Sequence, residues 1–132
     1  MSTTRVRTVP GTLEPSDHPY LNGAWQPVLD EFDADDLDVI GEIPSDLDGL
    51  YLSNTENPDH QPLGLYQPFD GDGMLAAMDF RGGRARYTNR FVRTKGFLAE
   101  QEAGRALWAG IAEFRTPSER PGWGAHGGLK DS

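Results

Sequence analysis

Met74-Leu75-Ala76-Ala77-Met78-Asp79-Phe80-Arg81-Gly82-Gly83-Arg84-Ala85-Arg86-Tyr87-Thr88-Asn89-Arg90-Phe91-Val92 is the stretch on which the fold turns. Met74 to Phe80 and Arg84 to Val92 flank Arg81-Gly82-Gly83, where paired glycines supply the positive φ angles of a tight hairpin turn. Along the second arm Ala85, Tyr87, Asn89 and Phe91 share one face, and Arg84, Arg86, Thr88 and Arg90 the other. That two-residue period is the mark of a half-buried strand. An isolated hairpin is marginal in water, so further strands are expected beside it.

Working outward, Phe97 to Leu107 places Ala99, Ala103 and Leu107 at four-residue steps and reads as one short helix, weakened at Gly104. Beyond Glu113 the chain is rich in Pro and Gly through Trp123-Gly124-Ala125-His126-Gly127-Gly128 and reads as coil. Upstream, Asn54 to Gly64 holds Asn57-Pro58 and Gln61-Pro62 and reads as a loop. Leu50-Tyr51-Leu52 reads as a strand, and so does the alternation of Leu37, Val39 and Ile43, with Pro44-Ser45-Asp46 turning between them. Asp30, Glu31, Asp33, Asp35, Asp36 and Asp38 crowd one segment, which reads as a solvated acidic loop. Tyr20 and Trp25 bracket the Asn22-Gly23 turn signal in an extended segment that docks by its rings. Residues 1–19 are Ser, Thr and Pro-rich, bury little, and are expected to form a disordered arm ahead of a domain spanning 20–132.

Composition narrows the class. Sixteen Gly and ten Pro in 132 residues break the chain too often for long helices, and an all-β fold is expected. A formal net charge of −9 argues against nucleic acid as a partner, because phosphate-backbone binding needs a surplus of Lys and Arg. With no cysteine there is neither a disulfide framework nor a thiolate metal site, which fits a reducing cytoplasm. No apolar run resembles a signal-peptide core or reaches the roughly 18 residues of a transmembrane segment.

Asp70-Gly71-Asp72-Gly73 invites a divalent-cation reading, since alternate carboxylates on a glycine-bent loop can converge on a hard ion. An EF-hand is excluded by Met74 at a ligand position. The competing reading has the glycines permitting a sharp approach to the strand while the Asp side chains bond nearby backbone or pair with Arg81, Arg84, Arg86, Arg90, Arg93 or Lys95. Otherwise those six basic groups read as a solvated strand face. His18, His60 and His126 lie on three segments that read as coil, without the scaffold a metal site requires, so all three read as surface or structural residues. Neither a nucleophile elbow nor a phosphate-binding glycine loop is present.

Several motifs together resemble the N-terminal part of the carotenoid cleavage oxygenases, in particular their lignostilbene dioxygenase-like branch. They are Gly41-Glu42-Ile43-Pro44, Leu47-Asp48-Gly49-Leu50-Tyr51, Asn54 through Asn57-Pro58, Phe69-Asp70-Gly71-Asp72-Gly73-Met74, and Asn89-Arg90-Phe91-Val92-Arg93-Thr94. The resemblance implies the opening strands of a seven-bladed β-propeller. It further implies a non-haem Fe(II) cofactor held by four histidines, which uses O2 to split a conjugated alkene, a carotenoid or a stilbene, into two carbonyl products. The family's iron ligands are expected beyond Ser132, so no catalytic, cofactor-binding or metal-binding residue is transferred to this chain. Two positions depart from the family pattern: Ser53 stands where an Arg is common and Ala76 where a His is common.

Three functions are consistent with these readings. The first is an N-terminal fragment of such an oxidoreductase, inactive as this chain alone. The second is a non-catalytic module that associates through an open strand edge with a missing remainder or another protomer. The third is a compact β domain that binds a small ligand or a cation around Asp70 and Asp72.

Overall fold

A computed structural model describes residues 1–112 and Lys130. Five strands form one antiparallel sheet in the spatial order β1-β2-β5-β4-β3. In chain order they are β1 (Ser2–Thr8), β2 (Asp30–Asp35), β3 (Gly49–Glu56), β4 (Gly73–Arg81) and β5 (Arg84–Phe91), followed by helix α1 (Lys95–Ala103). Short 3-10 turns occupy Gly23–Trp25 and Pro68–Asp70. Among the described residues no helix is long and apolar enough to cross a membrane.

The β4–β5 hairpin forms as its sequence dictates. Gly82 and Gly83 have φ of 54° and 77°, the left-handed pair that matches strand twist, and pairing runs from Arg81 with Arg84 to Met74 with Phe91. Ala85, Asn89 and Phe91 are buried while Arg84 and Arg86 are exposed, so the alternation is realised. The core is small: Val9, Met74, Phe91 and Phe97, with Leu29 against them. Phe91 and Phe97 stack at 5.2 Å, which seats α1 on the hairpin.

Four expectations need correction. Residues 2–8, read as part of a disordered arm, form strand β1 on the sheet edge. Burial of large side chains is not what orders this segment; backbone pairing to β2 does so, with Val9 anchoring its end at 3% exposure. The acidic run is not a loop, because Asp30–Asp35 is strand β2. Arginines from both neighbouring strands neutralise it, which removes the charge repulsion that would oppose an extended ladder.

Leu37, Val39 and Ile43 form no strand; Leu37 donates one hydrogen bond to Ala85 O at 2.9 Å and the chain then leaves the sheet. Helix α1 ends at Ala103 rather than Leu107, because Gly104 takes φ 70° as a C-cap and donates to Glu100 O. At its other end Thr94 accepts a hydrogen bond from Phe97 N. The Tyr20–Trp25 ring pair forms at 5.5 Å, yet both rings stay well exposed. The coil expected around Trp123 to Gly128, with His126, lies outside the described residues.

The far edge of the sheet differs in character. Leu50, Tyr51 and Leu52 of β3 are 62%, 66% and 53% exposed, so both faces of this edge strand are open.

Candidate functional site

The motif residues converge on two buried carboxyl centres, one at the joint of β2 with β5 and one where the segments after β3 and before β4 meet α1. At the first, Glu31 of β2 is 1% exposed. Arg93 grips it with two guanidinium nitrogens, at 2.5 and 3.0 Å, Phe91 N donates at 2.7 Å, and Arg7 stands at 3.4 Å. Burial alone would raise this carboxyl, but Arg93 and the Phe91 amide outweigh it and hold the group below the usual Glu range. Arg93 also lies over the Phe97 ring.

Two amides stitch the same region. Asn89 accepts from Phe32 N at 2.8 Å and donates to Asp30 O at 2.9 Å. Asn57 does the same one segment earlier, accepting from Val28 N at 2.8 Å and donating to Val28 O. Each side chain thus imitates a strand partner for backbone that has none. Arg90 bonds Asp33 at 2.8 Å, Arg86 pairs with Asp33 and Asp35, and Arg84 pairs with Asp36. The basic strand face is therefore paired with the acidic strand, not merely solvated.

The second centre separates the two aspartates that the sequence suggested might act together. Asp70 closes the 3-10 turn by accepting from Gln67 N, and its other oxygen accepts from Ile111 N at 2.7 Å. Asp72 turns the opposite way and joins Asp59 and Glu100, each offering an oxygen within 4.8 Å of the others. Lys130 is placed among them, with Nζ 2.7 Å from Asp72 and 2.6 Å from Glu100, so an ammonium already neutralises part of this cluster. Asp70 and Asp72 therefore do not form a shared cation site.

The glycines that follow these two aspartates serve close packing, not unusual torsions. A Cβ at Gly71 would sit 2.9 Å from Asn57 N, and one at Gly73 3.1 Å from the Asn54 side-chain oxygen. Asn57 N donates across this approach to Asp72 O at 2.7 Å. Pro58 is buried beside it, Met74 packs against Asn57 and Asn89 through sulfur, and Phe69 is 72% exposed.

A cavity of about 130 Å³ opens at the second centre, lined by Asp59, His60, Tyr66, Asp72, Glu100 and Trp108 among others. Burial raises Asp72 to about 6, with neighbouring Asp59 adding to the rise and Lys130 opposing it. Asp59 is raised as well, again by burial. His60 is lowered by burial, and its ring contacts the Thr12 hydroxyl. Lys130 resists the lowering that burial favours because Asp72 and Glu100 hold its charge.

The described histidines do not fit a four-histidine iron site. His18 Nδ1 accepts from Tyr20 N, while the His60 ring contacts Thr12 and Gln101. Among the described residues, the grouping close enough to share an ion is Asp59, Asp72 and Glu100, and it contains no histidine. His126 lies outside those residues. Ser53 is on β3 opposite Ala76 of β4, so the two departures from the family pattern are cross-strand neighbours.

Glu31, Asp59, Glu100 and Lys130 were not singled out by sequence reasoning. Glu31 is hidden in the acidic run. Glu100 carried a usable signal, since it shares a helix face with buried Phe97 one turn earlier.

The retinal pigment epithelial membrane protein family matches residues 25–130. This chain belongs to the carotenoid cleavage oxygenase family. It is 39% identical over 112 residues to the apocarotenoid-15,15'-oxygenase of Synechocystis, covering 79% of this chain and 22% of that protein. It is 46% identical over 87 residues to a carotenoid cleavage oxygenase of Mycobacterium tuberculosis, covering 64% of this chain and 17% of that protein. Its fold is similar to the crystal structure of Pseudomonas brassicacearum lignostilbene dioxygenase, with TM-score 0.70 and 28% identity over 74% of this chain and 21% of that one. The chain thus spans about a fifth of the length of the relatives it matches.

Proposed function

We propose that this chain supplies the opening strands of a seven-bladed propeller in a non-haem Fe(II) dioxygenase that cleaves carotenoid or stilbene alkenes. Its contribution is the frame, and by itself it neither binds the iron nor turns over. One observation carries this reading: the polar family-motif side chains Asn57, Asn89, Arg93 and Asp72 are engaged with partners in the chain's own frame. Asn57 and Asn89 bond backbone, Arg93 bonds Glu31, and Asp72 bonds Lys130. A reducing cytoplasm suits a chain without cysteine.

Titrating the purified 132-residue chain with Fe(II) under anaerobic conditions, then adding oxygen and a stilbene, tests the proposal. The expected outcome is no stoichiometric iron binding and no oxygen uptake above buffer. Tight one-to-one binding with aldehyde formation would overturn it.

The β3 edge favours a second reading, a module that associates through its open strand. Leu50, Tyr51 and Leu52 are exposed on a strand with one free side, the arrangement that templates pairing with another chain. Light scattering separates the two: a defined oligomer that L52K dissolves supports edge pairing, and a monodisperse monomer removes it.

A further inference from the structure

Asp59, Asp72 and Glu100 are 1%, 2% and 2% exposed, and among the described residues the cation placed at the cluster is Lys130, paired with Asp72 and Glu100. Glu100 is well supplied, with Leu107 N on one oxygen at 2.8 Å and Lys130 on the other. Asp72 has Lys130 on one side and the Asp59 carboxyl, in hydrogen-bonding contact, on the other. Among the described residues the Asp59 carboxylate accepts from the neutral Gln101 amide and stands 3.8 Å from the His60 ring. Two carboxyl groups in contact, with burial against both, cannot both stay ionised cheaply; a proton held between them replaces repulsion with a hydrogen bond.

The cluster is also a junction. Gln101 of α1 reaches Pro10 O at 2.9 Å as well as Asp59, Thr12 holds His60, and Lys130 ties α1 to the start of β4. The N-terminal segment, the loop after β3, the turn before β4, helix α1 and Lys130 therefore meet at one set of charges.

We propose that Asp59 and Asp72 share one proton in mildly acidic solution, and that this proton is a latch holding α1 and Lys130 against the sheet, released as the pH rises. Among the described residues the charged and titratable groups around the pair are His60 from its own loop, Glu100 from α1, Lys130, and Asp70 and Tyr66 across the cavity. Among these groups Lys130 favours ionisation of the pair with its positive charge, while Glu100 opposes it at Asp59 with a negative one. A carboxyl raised in the folded state binds more protons there than in the open state, so docking is strongest at low pH and weakens through the window from about 4 to 6.

Carbon-13 NMR titration of the aspartate side-chain carboxyls in the 132-residue chain reads the proton directly. One Asp transition is expected near pH 6, and D59N should bring it down by more than one unit, because Asp72 then faces Lys130 without a like charge. Hydrogen exchange reads the latch: protection of Leu107 N–H and the α1 amides should fall roughly tenfold from pH 5 to pH 8, and stay flat in D59N. Ordinary titration of every Asp, an upper transition that survives D59N, or protection with the same pH profile in both proteins would each overturn the proposal.

Discussion

Glu31 and the Asp59–Asp72 pair are buried to the same degree, yet their surroundings push them in opposite directions. Glu31 meets more positive charge and more donors than it needs, so it stays ionised and lies below its usual range. Among the described residues the aspartate pair meets one ammonium, also paired with Glu100, which does not offset burial, so its members lie above theirs. Burial pushes all three carboxyls upward; at Glu31 the surrounding donors outweigh it, and at the aspartate pair they do not. What differs is the number of donors the sequence places around each carboxyl. The first centre closes the sheet between β2 and β5, where a fixed charge pair defines register; the second sits where separate segments meet and can change its charge.

Removing a donor from the first centre gives the largest expected effect. R93A leaves buried Glu31 with the more exposed Arg7 as its remaining cation among the described residues, and should cost about 3 kcal/mol of unfolding free energy by urea titration at pH 7. A loss under about 1 kcal/mol would mean that the centre tolerates charge imbalance as the second one does. K130M is smaller because the aspartates can respond by taking up a proton. It should cost about 2 kcal/mol at pH 8 and about 1 kcal/mol at pH 5. Equal cost at the two pH values would erase the contrast.

Acid separates the centres by sign. A depressed Glu31 contributes stability that is fully present above the unfolded Glu value of 4.5 and is lost as pH falls through the folded value. Wild-type protein should therefore lose stability below about pH 4, and E31Q should show a shallower acid limb by circular dichroism. F69A gives the smallest effect: although it changes a family-motif residue, the ring is exposed and touches neither centre, so stability should move by less than about 0.5 kcal/mol.

How much of this was readable in the sequence follows the range of each interaction. The β4–β5 hairpin was legible down to its turn, because two glycines and a two-residue period are local signals. The α1 region was legible in place and wrong in extent, since Gly104 reads equally as a weak interior residue or as a cap. Strands β1 and β2 were missed. Each looks unfit to order itself, one for lack of apolar mass and the other for excess charge, and each is ordered by what the other and β5 bring. For Asp70 and Asp72 the expected backbone bonding is seen at Asp70, which accepts from Gln67 N and Ile111 N, whereas Asp72 lies beside Asp59 and Lys130 instead of an arginine, because nothing local reveals those two as neighbours.

Strands β2 and β5 share just two directly paired positions, Asp33 with Thr88 and Ala34 with Tyr87. Below that point the joint is carried by the Asn89 amide and by the Arg93–Glu31 fork. The sheet is thus a two-stranded ribbon riveted to a three-stranded one, and rivets, unlike a ladder, have identities. Any strand-forming sequence could replace the hydrogen bonds of β3 with β4, but transplanting β1 and β2 onto another hairpin would succeed only if that hairpin brought its own asparagine and arginine at matching positions.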